Sequence, residues 1–275
     1  MKEAYFFDID GTLYDNQYHE IDPNLVKEFD YLRENGADLY LMSSRSPFEM
    51  VHLPDEFIDY PYRGIVLEGG AAIYGHDQNL VDAWLIPGAD IKKIRNYCRD
   101  HDLLWRYSGP DGNYFNRKED LATRTHWRKL YLTVPKVKEW KGDDVCNILI
   151  WTKDDHQKQE LETLLADNSV VIYPDCIEVR AKGVSKENMV RQLKKKFGYR
   201  KVYCVGDGPN DVNMLFEADC GVAMKNACQE AKAAADQVIG AVGEAGVTNW
   251  LKNRREKGIY HEFVTYRKQP NRTNH

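Results

Sequence analysis

Two short apolar runs near opposite ends of the chain, Ala4-Tyr5-Phe6-Phe7 and Val202-Tyr203-Cys204-Val205, each stop at an acidic turn that contains glycine. The first turn reads Asp8-Ile9-Asp10-Gly11-Thr12 and the second Gly206-Asp207-Gly208-Pro209-Asn210-Asp211. Apolar runs of this length, broken at once by Asp and Gly, are the pattern of buried strands that end in loops. Any fold that makes the two strands neighbours must gather four carboxylates, those of Asp8, Asp10, Asp207 and Asp211, in one cleft.

The chain between them alternates helix and strand. Asp22 and Pro23 open a helix whose apolar face is Leu25, Val26, Phe29 and Leu32, and Gly36 closes it. A strand is expected at 39–42, a helix from Ser46-Pro47, and a third strand at 64–67 before the Gly69-Gly70 turn. From about 84 to 183 the texture changes to aromatic-rich strand candidates at 104–107, 114–115, 130–134, 148–151 and 170–173. Only two helices, near 90–98 and 156–165, interrupt them, as in an α+β module with an antiparallel sheet. After Gly183, Ser185 caps a helix to Phe197 that Gly198 closes, and alternation resumes through a last helix at 247–251. The expected fold class is α/β. It has a Rossmann-like doubly wound parallel-sheet core at 1–83 and 184–275, with an inserted α+β cap domain at 84–183.

A chain of 275 residues is long enough for a core carrying such an insertion. With 43% hydrophobic and 29% charged residues it has the composition of a globular protein that folds without a partner. A net charge of -5 supplies no general attraction to nucleic acid or an anionic membrane. No apolar run approaches a bilayer span and no apolar signal region follows Met1-Lys2-Glu3-Ala4, so a cytoplasmic protein is expected. The six cysteines form no CxxC pair or zinc-ligand cluster and read as buried thiols. The basic residues from Arg254 onward, with Tyr260 and Phe263 among them, read as a solvated extension partly packed on the core, not a nucleic-acid patch.

Aspartates and glycines are ordinary loop residues, and either acidic turn alone would carry little meaning. Both together, each behind an apolar strand, demand a cation, because unpaired anions in one cleft repel. Oxygen ligands without histidine or thiolate suit a hard ion such as magnesium.

With these turns the chain resembles the haloacid dehalogenase-like superfamily, specifically its Cof-type phosphatases, whose cap lies between the second and third motifs. The first motif is Asp8 to Thr12 and the fourth Gly206 to Asp211, followed by Met214-Leu215. A further similar stretch is Gly221-Val222-Ala223-Met224 with Asn226-Ala227. The second motif looks like Ser43, with Arg45 in the usual arginine place, and the third looks like Lys186. Two positions depart from the pattern: Ser44 where glycine is common, and Gly69 where asparagine often precedes Gly-Ala.

The resemblance implies a magnesium-dependent phosphatase acting on a small organic phosphomonoester, such as a sugar phosphate or phosphorylated cofactor. Asp8 would attack phosphorus to form an aspartyl phosphate, and Asp10 would protonate the leaving oxygen and later deprotonate water. Asp8, the Asp10 carbonyl, Asp207 and Asp211 would hold Mg2+ directly or through water. Ser43, Lys186 and Asn210 would hold the phosphoryl oxygens. A phosphomutase or a catalytically quiet phospho-metabolite sensor are the alternatives, and Asp10 with Asp207 disfavours a dehalogenase. Specificity would lie in the cap, whose Trp105, Tyr107, Tyr114, Phe115, Trp127 and Trp151 read mostly as packing residues.

Overall fold

β1 (Glu3–Asp8) is buried from Ala4 to Asp8, as required of a strand at the centre of a sheet covered on both faces. The computed structural model describes residues 2–130 and 132–258. A small hairpin of β2 (Tyr14–Asp15) and β3 (Glu20–Ile21) leads into α1 (Leu25–Glu34), which buries Leu25, Phe29 and Leu32. Gly36, at φ 83°, turns the chain into β4 (Asp38–Met42). The helix expected from Ser46-Pro47 shrinks to one 3-10 turn, Pro47–Glu49, and the four-residue α2 (Asp55–Ile58). Pro54 disfavours helical backbone at Leu53 and so prevents continuity between them.

β5 (Gly64–Leu67) follows, and then an unforeseen hairpin, β6 (Ala72–Tyr74) and β7 (Leu80–Ala83), adds two antiparallel strands to the sheet. Leu80 and Val81 are exposed, so β7 has no alternation of apolar and polar residues to betray it.

The cap comprises α3 (Gly88–Asp100), β8 (Trp105–Gly109), β9 (Gly112–Phe115), α4 (Leu121–Lys129) and β10 (Lys136–Val137). It continues with β11 (Asn147–Trp151), α5 (Asp155–Leu164), β12 (Ser169–Ile172) and β13 (Cys176–Arg180). Where a strand is expected at 130–134, none is found among the described residues. The preceding segment is helical instead, and Leu132 and Val134 pack beside Trp127, Phe115 and Trp151 without joining a sheet.

The core resumes with α6 (Lys186–Phe197), whose N-cap Ser185 accepts a bond from the Asn188 amide, and left-handed Gly198 ends it. Then come β14 (Lys201–Gly206), a 3-10 turn at Pro209–Asp211, α7 (Val212–Glu217), β15 (Cys220–Met224), α8 (Gln229–Ala234), β16 (Gln237–Ile239) and α9 (Gly246–Glu256).

The core sheet runs β16-β15-β14-β1-β4-β5-β6-β7 and is parallel through β5. Phe7 registers with Val205 on one side and Leu41 on the other, so the β1, β14 and β4 chains leave the sheet at one edge. The cap sheet runs β10-β9-β8-β11-β13-β12, antiparallel except for the β9 and β10 pair.

The start of the basic tail is not solvated. Arg254 is buried in α9 and donates to Tyr203 Oη at 2.8 Å, while Arg255 forks onto both Glu28 oxygens at 2.9 Å. The packing expected of Tyr260 and Phe263 lies outside the described residues. Among the described residues no helix is long and apolar enough to cross a membrane. The six cysteines are free and four of them are buried.

Candidate active site

Parallel pairing sets the β1 and β14 turns side by side, and α6 starts directly over them. Lys186, the first residue of α6, is fully buried and donates from Nζ to Asp8 Oδ1 at 2.6 Å and to Asp211 Oδ1 at 2.7 Å. Asp211 Oδ2 accepts from the Asp207 and Gly208 amides, each at 3.0 Å. Thr12 Oγ1 and Asn226 Nδ2 each donate to Asp207 at 3.3 Å, and Asn226 also reaches the Gly11 carbonyl at 2.7 Å. Gly11 sits at φ 78°, and any side chain there would run into the Asp207 carboxylate.

Asp8, Asp207 and Asp211 each present an oxygen within 4.8 Å of the other two. Burial pushes the Asp8 carboxyl well above the usual carboxylate range; Lys186 draws it back, while Asp211 and Asp207 push it further. Burial and then Asp211 push Asp207 up to about 7. Burial alone would lower Lys186, but Asp211 and Asp8 outweigh it and raise the ammonium above its ordinary value. One lysine therefore leaves three clustered carboxylates under-neutralised. Their all-oxygen donor set fits a hard divalent cation.

The carboxylate of Asp10 is not in this trio. It is held by Arg45, whose Nε donates to Oδ2 at 2.9 Å and Nη2 to Oδ1 at 2.8 Å, while Nη1 donates to the Glu49 carbonyl at 2.7 Å. Ser43 is buried, and its Oγ accepts from the Arg45 amide at 3.1 Å, which leaves its hydroxyl hydrogen to donate elsewhere. Asn210 donates to Ser44 Oγ at 2.9 Å. The fold thus brings Asp8, Lys186, Asp207 and Asp211 into one cluster and sets Asp10 against Arg45 and Asn210 against Ser44.

Sequence reasoning missed the polar wall that the cap presents to this loop system. On β8, Trp105 and Tyr107 enter the core beneath their own sheet, whereas Arg106 and Ser108 face the loops of the eight-stranded sheet; on β13, Ile177 and Val179 alternate likewise with Glu178 and Arg180. Arg106 donates to Glu49 Oε2 at 2.6 Å, Ser108 to Glu68 Oε2 at 2.7 Å, and Arg180 to the Gly69 carbonyl. The available signal was the alternation Trp-Arg-Tyr-Ser and Ile-Glu-Val-Arg, which says that one face is polar but not that it is buried.

Residues 5–251 match the haloacid dehalogenase-like hydrolases, and the chain belongs to that family. It is an enzyme of the phosphatase class and of the Cof type. It is 28% identical to a candidate phosphatase of Haemophilus influenzae over 92% of this chain and 98% of that one. It is 24% identical to the 5-amino-6-(5-phospho-D-ribitylamino)uracil phosphatase YcsE of Bacillus subtilis, over 90% and 93% of the two chains. Its fold is similar to that of the subclass IIB sugar phosphatase BT4131, with a TM-score of 0.83 at 22% identity over 94% of this chain and 99% of that one.

Proposed function

We propose that this enzyme hydrolyses a small organic phosphomonoester, a sugar phosphate or a phosphorylated cofactor, through an aspartyl phosphate on Asp8 with Mg2+ as cofactor. The observation that carries the reading is the buried cluster of Asp8, Asp207 and Asp211 around Lys186 at the ends of adjacent parallel strands. Asp8, Asp207 and Asp211, with the Asp10 carbonyl, would hold the ion, which when bound supplies the charge that lets an anionic ester approach a carboxylate.

An Asp8 oxygen attacks phosphorus, and the bond from phosphorus to the leaving oxygen breaks as Asp10 delivers a proton to that oxygen. Asp10 then takes a proton from the water that attacks the phosphoryl group, and Asp8 is regenerated. Lys186 holds the nucleophile and balances the phosphoryl charge, while Ser43 and Asn210 donate to its oxygens. The Arg45 fork holds the Asp10 carboxylate in one orientation. The core in this reading is 1–83 with 184–275, and the cap that closes over it is 84–183.

Phosphate release from p-nitrophenyl phosphate and a panel of sugar and cofactor phosphates tests the reading. Chelator-treated enzyme should be inert, and magnesium should restore turnover. Folded protein with no release in magnesium would overturn the proposal and favour a mutase or a sensor.

The role of Asp10 has its own signature. p-Nitrophenolate departs without protonation, so Asp10→Asn should still phosphorylate Asp8 but turn over about 10²- to 10⁴-fold more slowly, the usual share of a general base. Rapid mixing should therefore show a burst of one equivalent of p-nitrophenolate and a slow steady state. A slow rate without a burst would assign Asp10 to the first step alone.

A further inference from the structure

We infer that Glu49 is a positioning residue through which a docked cap holds Asp10 in place for its proton transfers. The inference rests on the phosphatase reading and deepens it, because it gives a residue outside the acidic cluster control over the step in which water attacks.

Glu49 closes the 3-10 turn Pro47–Glu49 and is buried. Its main chain and its side chain serve different partners. The carbonyl accepts from Arg45 Nη1 at 2.7 Å, while Nε and Nη2 of the same guanidinium grip both oxygens of Asp10. The carboxylate accepts from two cap residues, Arg106 Nη2 at 2.6 Å and Asn113 Nδ2 at 3.0 Å, and from the Ser46 amide at 2.6 Å. An unbroken line of bonds thus runs from β8 and β9 through Glu49 and Arg45 to Asp10. Arg45 is itself buried, and its planar guanidinium fixes the donors relative to one another. A shift of the Glu49 carbonyl therefore turns the fork that holds Asp10.

The cap can release Glu49 without opening an apolar core. The large apolar clusters beneath the two sheets are separate, and a small one of Ala71, Cys146 and Val184 lies beside the connections at 83–84 and 181–184. Beyond those connections Arg106 and Asn113 bond Glu49, Ser108 bonds Glu68, and Arg180 bonds the Gly69 carbonyl. A swing of the cap about its connections breaks these polar bonds and leaves the Glu49 carboxylate with the Ser46 amide and water. The short turn then loses its two cap anchors, and Arg45 loses a fixed acceptor. A buried ion pair such as Arg106 with Glu49 adds little net stability over apolar side chains of the same volume. Coupling gives the pair a use that apolar packing could not supply: the base is aligned when the cap encloses the phosphoryl group and slack when it does not.

The test is a double-mutant cycle on p-nitrophenyl phosphate, followed by rapid mixing. Glu49→Gln should keep the p-nitrophenolate burst, since this leaving group needs no proton, and slow the steady state by about 10- to 10²-fold, the scale of a misplaced catalytic group. In the Asp10→Asn background the same change should alter the rate by less than about twofold, because the group it positions is gone. Arg106→Met should repeat both results from the cap side, and it carries the test if Glu49→Gln does not fold; melting curves decide that. Equal loss in both backgrounds would overturn the inference by reducing Glu49 to a structural contact. Loss of the burst, or no slowing in the wild-type background, would overturn it too. Asp10→Asn as fast as wild type would instead sink the role given to Asp10, and wild type without release would sink the phosphatase reading beneath it.

Discussion

Asp8→Asn is expected to cut phosphate release by at least about 10⁴-fold, the scale on which removing a covalent nucleophile acts when no other group can replace it. Asparagine is isosteric with aspartate, so β1 and its turn should keep their geometry. Its amide oxygen can still accept the Lys186 bond now made at 2.6 Å. What it lacks is the anionic oxygen that bonds phosphorus in the acyl phosphate. The same change removes one of three crowded acids, the one whose carboxyl burial and neighbours push well above its usual range. The variant should therefore melt no lower than wild type in metal-free buffer, a trade of stability against function that active sites commonly show. Turnover within about tenfold of wild type would place the nucleophile elsewhere, since a mere positioning contact costs far less than the reacting atom.

The parts of this enzyme legible in the sequence are those where two local signals coincide. Asp8 and Asp207 could be read because an apolar run ends on them, and the run fixes a central strand while the acid marks its carboxyl end. Lys186 and Ser43 carry no such double signal. A lysine after a capping serine is ordinary helix chemistry, and only the resemblance gave these residues weight. Tertiary burial was harder still to read. Glu178 and Arg180 alternate with Ile177 and Val179 as the outer face of any half-exposed strand would, and nothing local says that a second domain covers that face. The misread stretch at 130–134 failed for a related reason. Leu130, Leu132 and Val134 have strand composition, but Trp127, 5.5 Å from the Phe115 ring and 5.7 Å from the Trp151 ring, anchors a helix that takes the place beside the sheet. Tertiary packing overrode local propensity there.

Lys186→Met should be the most destabilising of the site variants, and its effect should depend on the metal. The side chain is fully buried and its ammonium bridges Asp8 and Asp211 at 2.6 and 2.7 Å. Methionine keeps most of the volume of the stem but removes the charge, which leaves two buried carboxylates facing each other and Asp207 with no cation. Breaking a buried ion pair from one side costs about 3–5 kcal/mol. For a chain near this size that corresponds to a fall in melting temperature of about 10 °C. Lowered pH and added magnesium should each restore part of it, because each neutralises the carboxylates that the lysine no longer balances. Melting measured with chelator and with magnesium separates this cause from simple loss of packing. A large drop that neither magnesium nor acid relieves would mean that the stem matters more than the charge. A variant as stable as wild type in chelator would mean that the three acids share protons already and that the lysine serves the phosphoryl group alone.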